Sequence, residues 1–354
     1  MKGKMGLLCE ALSLAADFYE KEGRALPWRR DADPYHIFLS EIMLQQTRVE
    51  AVIPYYERFL ARFPTVGALA AADEMAVFKL WEGLGYYSRA RNLLRGAKCV
   101  VDEHGGAFPD TEEALRTLPG VGEYTAGAIA SISFGRPCAA IDGNALRIYA
   151  RLFGDGRNVL DARVKREVKS LFDEAYPTGA RAGATTQGLM EVGQRFCIPN
   201  GAPHCDGCPL RALCAVGASG AWTEYPKKEK KKPRRIEART VLLFVAGDRI
   251  FIRRRPDEGL LAGLWEFPSL EGHLTEDGAI AAAREMGLFP EGVMTGPDAK
   301  HIFTHIEWHM KGYLISCKED SVPEGFVAVS LQELKKNYPI ASAYRAFLKH
   351  LEAL

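Results

Sequence analysis

Apolar residues recur every three or four positions through most of the chain, and the pattern changes after Arg239. Leu60, Phe63, Leu69, Val77, Leu80 and Trp81 keep a helical spacing that puts them on common faces. Gly and Pro cut this pattern into short segments at Pro64, Gly83, Gly85, Pro109, Gly120, Gly122, Gly135 and Pro137. Residues 1–216 are therefore expected to form an all-helical domain of many short helices, in two lobes because one simple bundle is too short for it. Residues 217–238 are polar, rich in Lys and Arg, and carry Pro226 and Pro233, which reads as a basic linker. Beyond it, Thr240–Ala246 and Arg249–Arg253 predict two strands joined at Gly247-Asp248. Ala279–Met286 predicts a helix, and His301–Met310 and Gly312–Cys317 predict further strands. Residues 239–354 then form a separate α+β domain, and the fold class is multidomain, α followed by α+β.

At 354 residues the chain is long enough for two or three domains. Its 47% hydrophobic and 26% charged content is that of a soluble globular protein. No run of eighteen apolar residues is present, so no membrane span is expected. Met1–Glu10 has no signal-peptide core, which points to a reducing cytoplasm, or association with the nucleoid in a bacterium. The net charge of +1 conceals the basic run Pro226–Thr240. That run is either a solvated spacer or a contact to DNA phosphates, since a near-neutral protein still binds nucleic acid through one basic face.

Four of the eight cysteines, Cys197, Cys205, Cys208 and Cys214, fall in one C-x7-C-x2-C-x5-C window. Disulfides need an oxidising setting that nothing else in the chain supports. Zinc sites usually show two C-x2-C knuckles, whereas here there is one, which favours a [4Fe–4S] cluster over zinc. Pro203, His204 and Pro209 make the window loop-like.

The second signal is Leu118-Pro-Gly-Val-Gly-Glu-Tyr-Thr-Ala126. Gly120 and Gly122 allow a sharp turn, and a helix beginning near Glu123 directs its N-terminal dipole the same way, a place for a DNA phosphate. Alone, it would read as an ordinary helix connection. Some twenty residues later, Ala140-Ile-Asp-Gly-Asn144 puts Asp142 on a tight turn before a helix with Leu146, Ile148 and Tyr149. Asp142 there is equally a helix N-cap. Glu41 stands in an apolar helical stretch, where by itself it would read as a partly exposed helix-face acid.

A helix-hairpin-helix, an Asp and a four-cysteine loop together resemble the DNA glycosylase superfamily that includes endonuclease III. Leu26-Pro-Trp-Arg29, Ser40-Glu-Ile-Met-Leu-Gln-Gln-Thr-Arg48 and Trp81-Glu-Gly-Leu-Gly-Tyr-Tyr-Ser-Arg89 narrow the resemblance to the adenine DNA glycosylase (MutY) family. It covers almost the whole chain. It implies removal of adenine opposite 8-oxoguanine or guanine in double-stranded DNA; a monomer is expected because one active site handles one lesion, and whether the linker contacts other repair proteins stays open. Glu41 is implied as the general acid on adenine N7, and burial would keep its carboxyl neutral near pH 7. Asp142 is implied to stabilise or trap the oxocarbenium sugar, and Asn144 to orient the acid or the water. Where bifunctional relatives carry a Schiff-base Lys, this chain has Tyr124, which implies a monofunctional enzyme in which Tyr124 supports the sugar or Asp142. The base must be flipped out, with Gln46 and Tyr86 entering the helix and Arg29, Gly120 and Gly122 among the DNA contacts. Arg89, Arg91, Arg95 and Lys98 follow on a helix as either a solvated face or phosphate contacts.

From about residue 239 the chain resembles the MutT/Nudix-like domain of that family, through Leu260-Leu-Ala-Gly-Leu-Trp-Glu-Phe-Pro268. The nearest match to a Nudix metal motif is Arg284-Glu-Met-Gly287, which lacks the paired glutamates, so nucleotide hydrolysis is not expected. Phe303-Thr304-His305 stands at the family's Phe-Ser-His lesion loop, with Thr for Ser. The family cluster has six residues between its first two cysteines where this chain has seven. Arg195 and Arg211 are expected beside the cluster as cations for the DNA backbone. Two rivals are a relative acting on thymine opposite guanine and a non-catalytic iron–sulfur damage sensor.

Overall fold

The computed structural model describes residues 3–227, 233–318 and 322–354. Its contacts divide into two compact units, one of Met1–Ala72 with Asn92–Lys230 and one of Asp73–Arg91 with Lys231–Leu354. Helices α1 (Lys4–Glu22), α2 (Pro34–Leu44), α3 (Val49–Arg62) and α4 (Val66–Ala70) come first. Next are α5 (Glu74–Trp81), α6 (Ser88–His104), α7 (Glu112–Leu115), α8 (Glu123–Phe134) and α9 (Gly143–Phe153). Then come α10 (Ala162–Ala175), α11 (Ala180–Arg195) and the short α12 (Ala215–Ser219). No helix of the described residues is long and apolar enough to cross a membrane.

The first unit is built on the helical periodicity. Leu8, Leu12 and Ala15 of α1 meet Leu146, Tyr149 and Leu152 of α9, Val168 and Phe172 of α10, and Leu189 and Val192 of α11. Each large apolar side chain in such a core contributes roughly 1.5–3 kcal/mol by leaving water. Gly188 sets how closely α1 and α11 approach, because a Cβ there would fall 2.1 Å from the Ala15 carbonyl oxygen. Cys197, Cys208 and Cys214 pack against the same core.

The second unit holds a mixed sheet in the order β3-β2-β1-β6-β5. Its strands are β1 (Arg235–Ala246), β2 (Arg249–Arg254), β3 (Trp265–Glu266), β4 (Ser269–Glu271), β5 (Pro290–Ile302), β6 (Ile306–Cys317) and β7 (Phe326–Ser330). β4 pairs with β1, and β7 with β2. The β1–β2 hairpin turns at Gly247-Asp248 as expected, with Ala246 opposite Arg249. Leu242 and Phe244 of β1 pack with Tyr313 and Ile315 of β6 and with Ala279, Ala282 and Ala283 of helix α13 (Glu276–Glu285). Two C-terminal helices, α14 (Leu331–Asn337) and α15 (Arg345–Glu352), complete the unit.

Three expectations need correction. The break placed at Lys311 lies instead at Phe303–His305, between β5 and β6. Gly312 is inside β6 because a Cβ there would meet the Phe347 ring at 2.8 Å; it makes room for a side chain rather than a turn. The expected linker 217–238 is structured at both ends. Tyr225 O accepts from Arg151 Nε (3.0 Å), Lys227 O accepts from Val159 N (3.3 Å), and residues from Arg235 already belong to β1. Residues 228–232 of the basic run lie outside the described residues. Finally, Asp73–Arg91 interrupts the helical region and joins the second unit. There Arg91 Nη2 donates to Ala262 O (3.0 Å) and Ile340 N donates to Glu82 Oε1 (3.3 Å).

Candidate active site

Helix α2 starts at the Asp33 N-cap, whose carboxylate accepts from Tyr35 N (2.8 Å), with Pro34 in the first turn. Its residues Ile37–Met43 are buried on every side, the mark of a core helix. Glu41 is carried into this apolar setting and is 5% exposed. Burial pushes its carboxyl up to about 7; the Tyr124 hydroxyl hydrogen bond pulls it down, the Asp142 charge adds to the rise and Arg29 opposes it.

Tyr124 is delivered by the Gly-rich hairpin. Gly120 has φ +84°, and a Cβ on it would lie 2.8 Å from Asn92 Cβ, so both backbone and packing call for glycine. Gly122 is the N-cap of α8 and brings no capping side chain. Two residues on, Tyr124 donates its hydroxyl to Glu41. The partner of that hydroxyl is thus Glu41, while Asp142 acts on it through its charge. Burial, then the Glu41 and Asp142 charges, raise its pKa well above 10, so it stays a donor.

Asp142 is the N-cap of α9. Its Oδ1 accepts from Asn144 N and Ala145 N (2.8 Å each), and its Oδ2 from Asn144 Nδ2 (2.7 Å). Burial raises its pKa while these N–H groups and Arg147 hold it down. Asn144 Oδ1 in turn accepts from Arg147 Nη2 (2.7 Å), which also donates to Gly193 O (2.8 Å). Gly193 lets α11 meet this turn, since a Cβ there would sit 2.6 Å from Asn144 Cβ.

Glu41, Gln46, Tyr124, Asp142 and Asn144 line one cleft of about 760 Å³, with Leu44, Val49 and Met190 as apolar wall. A narrower chamber behind Glu41 is lined by Trp28, Ile37, Gln187 and Gln194. Gln46 enters the cleft with φ +60°, a left-handed backbone uncommon outside glycine. Arg29 is not at the surface. Its side chain is 6% exposed and ion-paired to Glu191 (2.7 Å), and its charge acts on Glu41. Glu191 is fully buried and also pairs with Arg24 (2.8 Å), whose Nη2 donates to Gln194 (2.6 Å). Sequence reasoning missed Glu191, Arg24 and Gln194; an acid in an apolar helix was the available signal, but its partners are more than 160 residues away.

In the second unit, Gly83 (φ +96°) and Gly85 (φ +75°) form a turn that presents Tyr86, itself left-handed at φ +49° and 46% exposed. Its hydroxyl is 3.4 Å from Thr304 Oγ1. Phe303, Thr304 and His305 form the tip of the β5–β6 hairpin, closed by Phe303 N to Ile306 O (2.8 Å). Phe303 is held edge-on by His301 (4.5 Å) and Trp308 (4.9 Å), leaving Thr304 and His305 exposed. Arg89, weighed as a phosphate contact, is buried. It donates to Leu84 O and Gly85 O (3.2 Å each), and burial lowers its pKa to about 10, so it builds the Tyr86 turn. Arg91 is tied to Glu74 (3.2 Å); Arg95 and Lys98 are exposed.

Cys197, Cys205, Cys208 and Cys214 line one small chamber of about 30 Å³ with Arg151, Phe196 and Val216. Arg151 Nη1 donates to Cys197 Sγ and Gly217 N to Cys214 Sγ (3.4 Å each). Burial pushes the Cys208 thiol up to about 12, the other three sulfurs adding to the rise. Four soft donors round an apolar chamber, with N–H groups aimed at two of them, fit a thiolate-bound iron–sulfur cluster. The longer first spacer is folded back, His204 N bonding Phe196 O (2.9 Å). Arg147 Nε donates to Cys197 O (2.6 Å), so one guanidinium joins this loop to Asn144. Arg195 bonds Glu22 O (2.9 Å), and Arg211 pairs with Asp206 and stays half exposed.

Residues 39–174 match the HhH-GPD superfamily of base excision DNA repair proteins, and residues 240–350 match the NUDIX domain. The chain is 37% identical over 307 residues to the adenine DNA glycosylase of Homo sapiens, covering 72% of this chain and 56% of that protein. It therefore spans little more than half the human protein's length. It is 33% identical to that of Rattus norvegicus (84% and 69% covered) and 32% identical to that of Buchnera aphidicola from Acyrthosiphon pisum (73% and 73%). Among solved structures, a thermostable thymine-DNA glycosylase is similar with TM-score 0.54 and 27% identity over 60% of this chain and 97% of that one. A trapped endonuclease III–DNA covalent intermediate is similar in fold, with TM-score 0.51 and 24% identity over 62% of this chain and 99% of that one.

Proposed function

Because this chain belongs to the adenine DNA glycosylase family, we propose that it hydrolyses the N-glycosidic bond of adenine mispaired with 8-oxoguanine or guanine in duplex DNA, leaving an abasic site. The observation that carries the reading is the placing of two carboxyls, the buried Glu41 and the half-buried Asp142, in one cleft where both charges act on Tyr124. A carboxyl raised to about 7 holds a proton at physiological pH and can give it to adenine N7. With N7 protonated, the base leaves as the neutral molecule and the sugar develops oxocarbenium character. Asp142, held by three N–H bonds from Asn144 and Ala145, keeps its negative charge aimed at that sugar. Water completes the reaction at C1′. Tyr124 offers a hydroxyl and no amine, so no Schiff base forms and the strand is not cut.

Gln46 and Tyr86 act as the wedges that hold the duplex open around the flipped adenine, which their left-handed backbones support. Thr304 and His305, exposed at the hairpin tip, read the 8-oxoguanine left behind. Cys197, Cys205, Cys208 and Cys214 hold a [4Fe–4S] cluster that orders the loop and does not take part in bond cleavage. The protein works as a monomer on DNA in the compartment that holds its chromosome, with residues 1–216 acting on the base and 239–354 on the lesion.

The test is single-turnover base release on duplexes carrying A opposite 8-oxoguanine, A opposite T and T opposite G, with strand breaks read before and after alkali. Fast release from A opposite 8-oxoguanine alone, with breaks only after alkali, is expected. Release of thymine, or breaks without alkali, would overturn the assignment. Lesion binding and turnover both surviving in Glu41→Gln would remove Glu41 from the mechanism.

A further inference from the structure

We propose that Cys99, Glu103 and His104, at the C-terminal end of α6, form a Zn²⁺ site separate from the four-cysteine loop. One ligand atom of each (the Cys99 sulfur, a Glu103 carboxylate oxygen and a His104 ring nitrogen) lies within 4.8 Å of the other two. Thiolate, carboxylate and imidazole are the donors zinc takes, and three of them leave the fourth tetrahedral position to water. The helix supplies the convergence. Cys99 and Glu103 are four residues apart on one face, and His104 is the last residue of α6, before Gly105 and Gly106 turn the chain back.

The second observation is independent of that spacing. His104 Nε2 is closed off from solvent and has no hydrogen-bond partner among the described residues, although buried polar atoms nearly always have one. A ring nitrogen left in that state is explained by a ligand that has yet to bind. The local field also favours a cation: the carbonyl end of α6 carries partial negative charge, and the Asp102 and Glu103 carboxylates both act on Cys99. Binding replaces the proton with the metal, so one H⁺ leaves Cys99 for each Zn²⁺ bound. The bound ion would cross-link the last turns of α6.

The test is site-resolved alkylation of the full-length chain carrying its native cofactor, with Zn²⁺ as the probe. Iodoacetamide labelling is followed peptide by peptide, so Cys99 is read apart from the four loop cysteines, and exposed Cys9 serves as the internal reference. Protection follows 1 + [Zn²⁺]/Kd, about tenfold when Zn²⁺ is ten times Kd. Cys99 is expected to be protected while Cys9 is not, and the protection is expected to vanish in Glu103→Gln and in His104→Asn. Glu103 is exposed, so its substitution leaves the fold intact even if the His104 variant is unstable. Equal labelling of Cys99 with and without Zn²⁺, or protection that persists in Glu103→Gln, overturns the proposal.

Discussion

The Tyr124 hydroxyl donates to the Glu41 carboxylate, the buried Glu41 and half-buried Tyr124 lining the cleft that also holds Asp142. That bond stabilises the ionised form of Glu41 and so holds its pKa below what burial alone would give. Tyr124→Phe removes the donor, and the Glu41 pKa rises above about 7. The alkaline limb of the single-turnover rate is expected to move to higher pH, because the acid form persists longer. A limb that stays in place would show that another group sets it.

Glu41 is costly to the fold above neutrality. Its folded pKa of about 7 exceeds the ordinary 4.5, so the native state binds the proton more tightly than the unfolded chain. Stability is full below pH 4.5 and declines as pH rises through about 7. At about 1.4 kcal/mol per pKa unit, the loss by pH 8 is roughly 3 kcal/mol. Glu41→Gln should therefore be inactive yet more stable than the parent at pH 8, with the two alike at pH 4 in denaturant titrations.

Lys169 is buried with its Nζ bonded to Glu112 (2.9 Å) and Asp173 (2.6 Å) and 3.8 Å from Cys138 Sγ. Asp173 also accepts from Ala139 N (2.9 Å), in the loop that leads to Asp142. Lys169→Met leaves two carboxylates without their shared cation. A loss of about 3 kcal/mol is expected, at the low end for a broken buried pair because Asp173 keeps some solvent. The denaturant midpoint should fall, and Lys169→Arg should restore most of it.

At the hairpin tip, His305→Ala removes an exposed side chain that no core contact requires. The melting temperature should not move. Preference for A opposite 8-oxoguanine over A opposite G should drop roughly tenfold, the effect of one lost contact of about 1–3 kcal/mol. An unchanged ratio of dissociation constants would make His305 a bystander.

Much of the site was legible along the chain because its parts are local devices. Asp142 caps the next helix within three residues, the Gly120 turn is set by one φ angle, and the β1–β2 hairpin needs two loop residues. Each carries its signal in adjacent letters. The burial of Arg29 and Arg89 was not legible for the opposite reason: a charged letter reads as surface, and only the partner Glu191 or the carbonyls of Leu84 and Gly85 show that it is drawn inward.

The sequence by itself determined the two kinds of periodicity, the four-cysteine window, the hairpin glycines and the identities of Glu41, Tyr124 and Asp142, because helix phase, turn conformation and ligand type are properties of neighbouring residues. Only the tertiary structure decided that Tyr124 bonds Glu41, that Arg147 joins Asn144 to the Cys197 loop and that Glu191 sits beneath the site between two arginines. It also decided that Asp73–Arg91 folds with the C-terminal unit. These pairings span long separations in the chain, and they are selected by which buried charges must find partners once the core has closed, which no local pattern encodes.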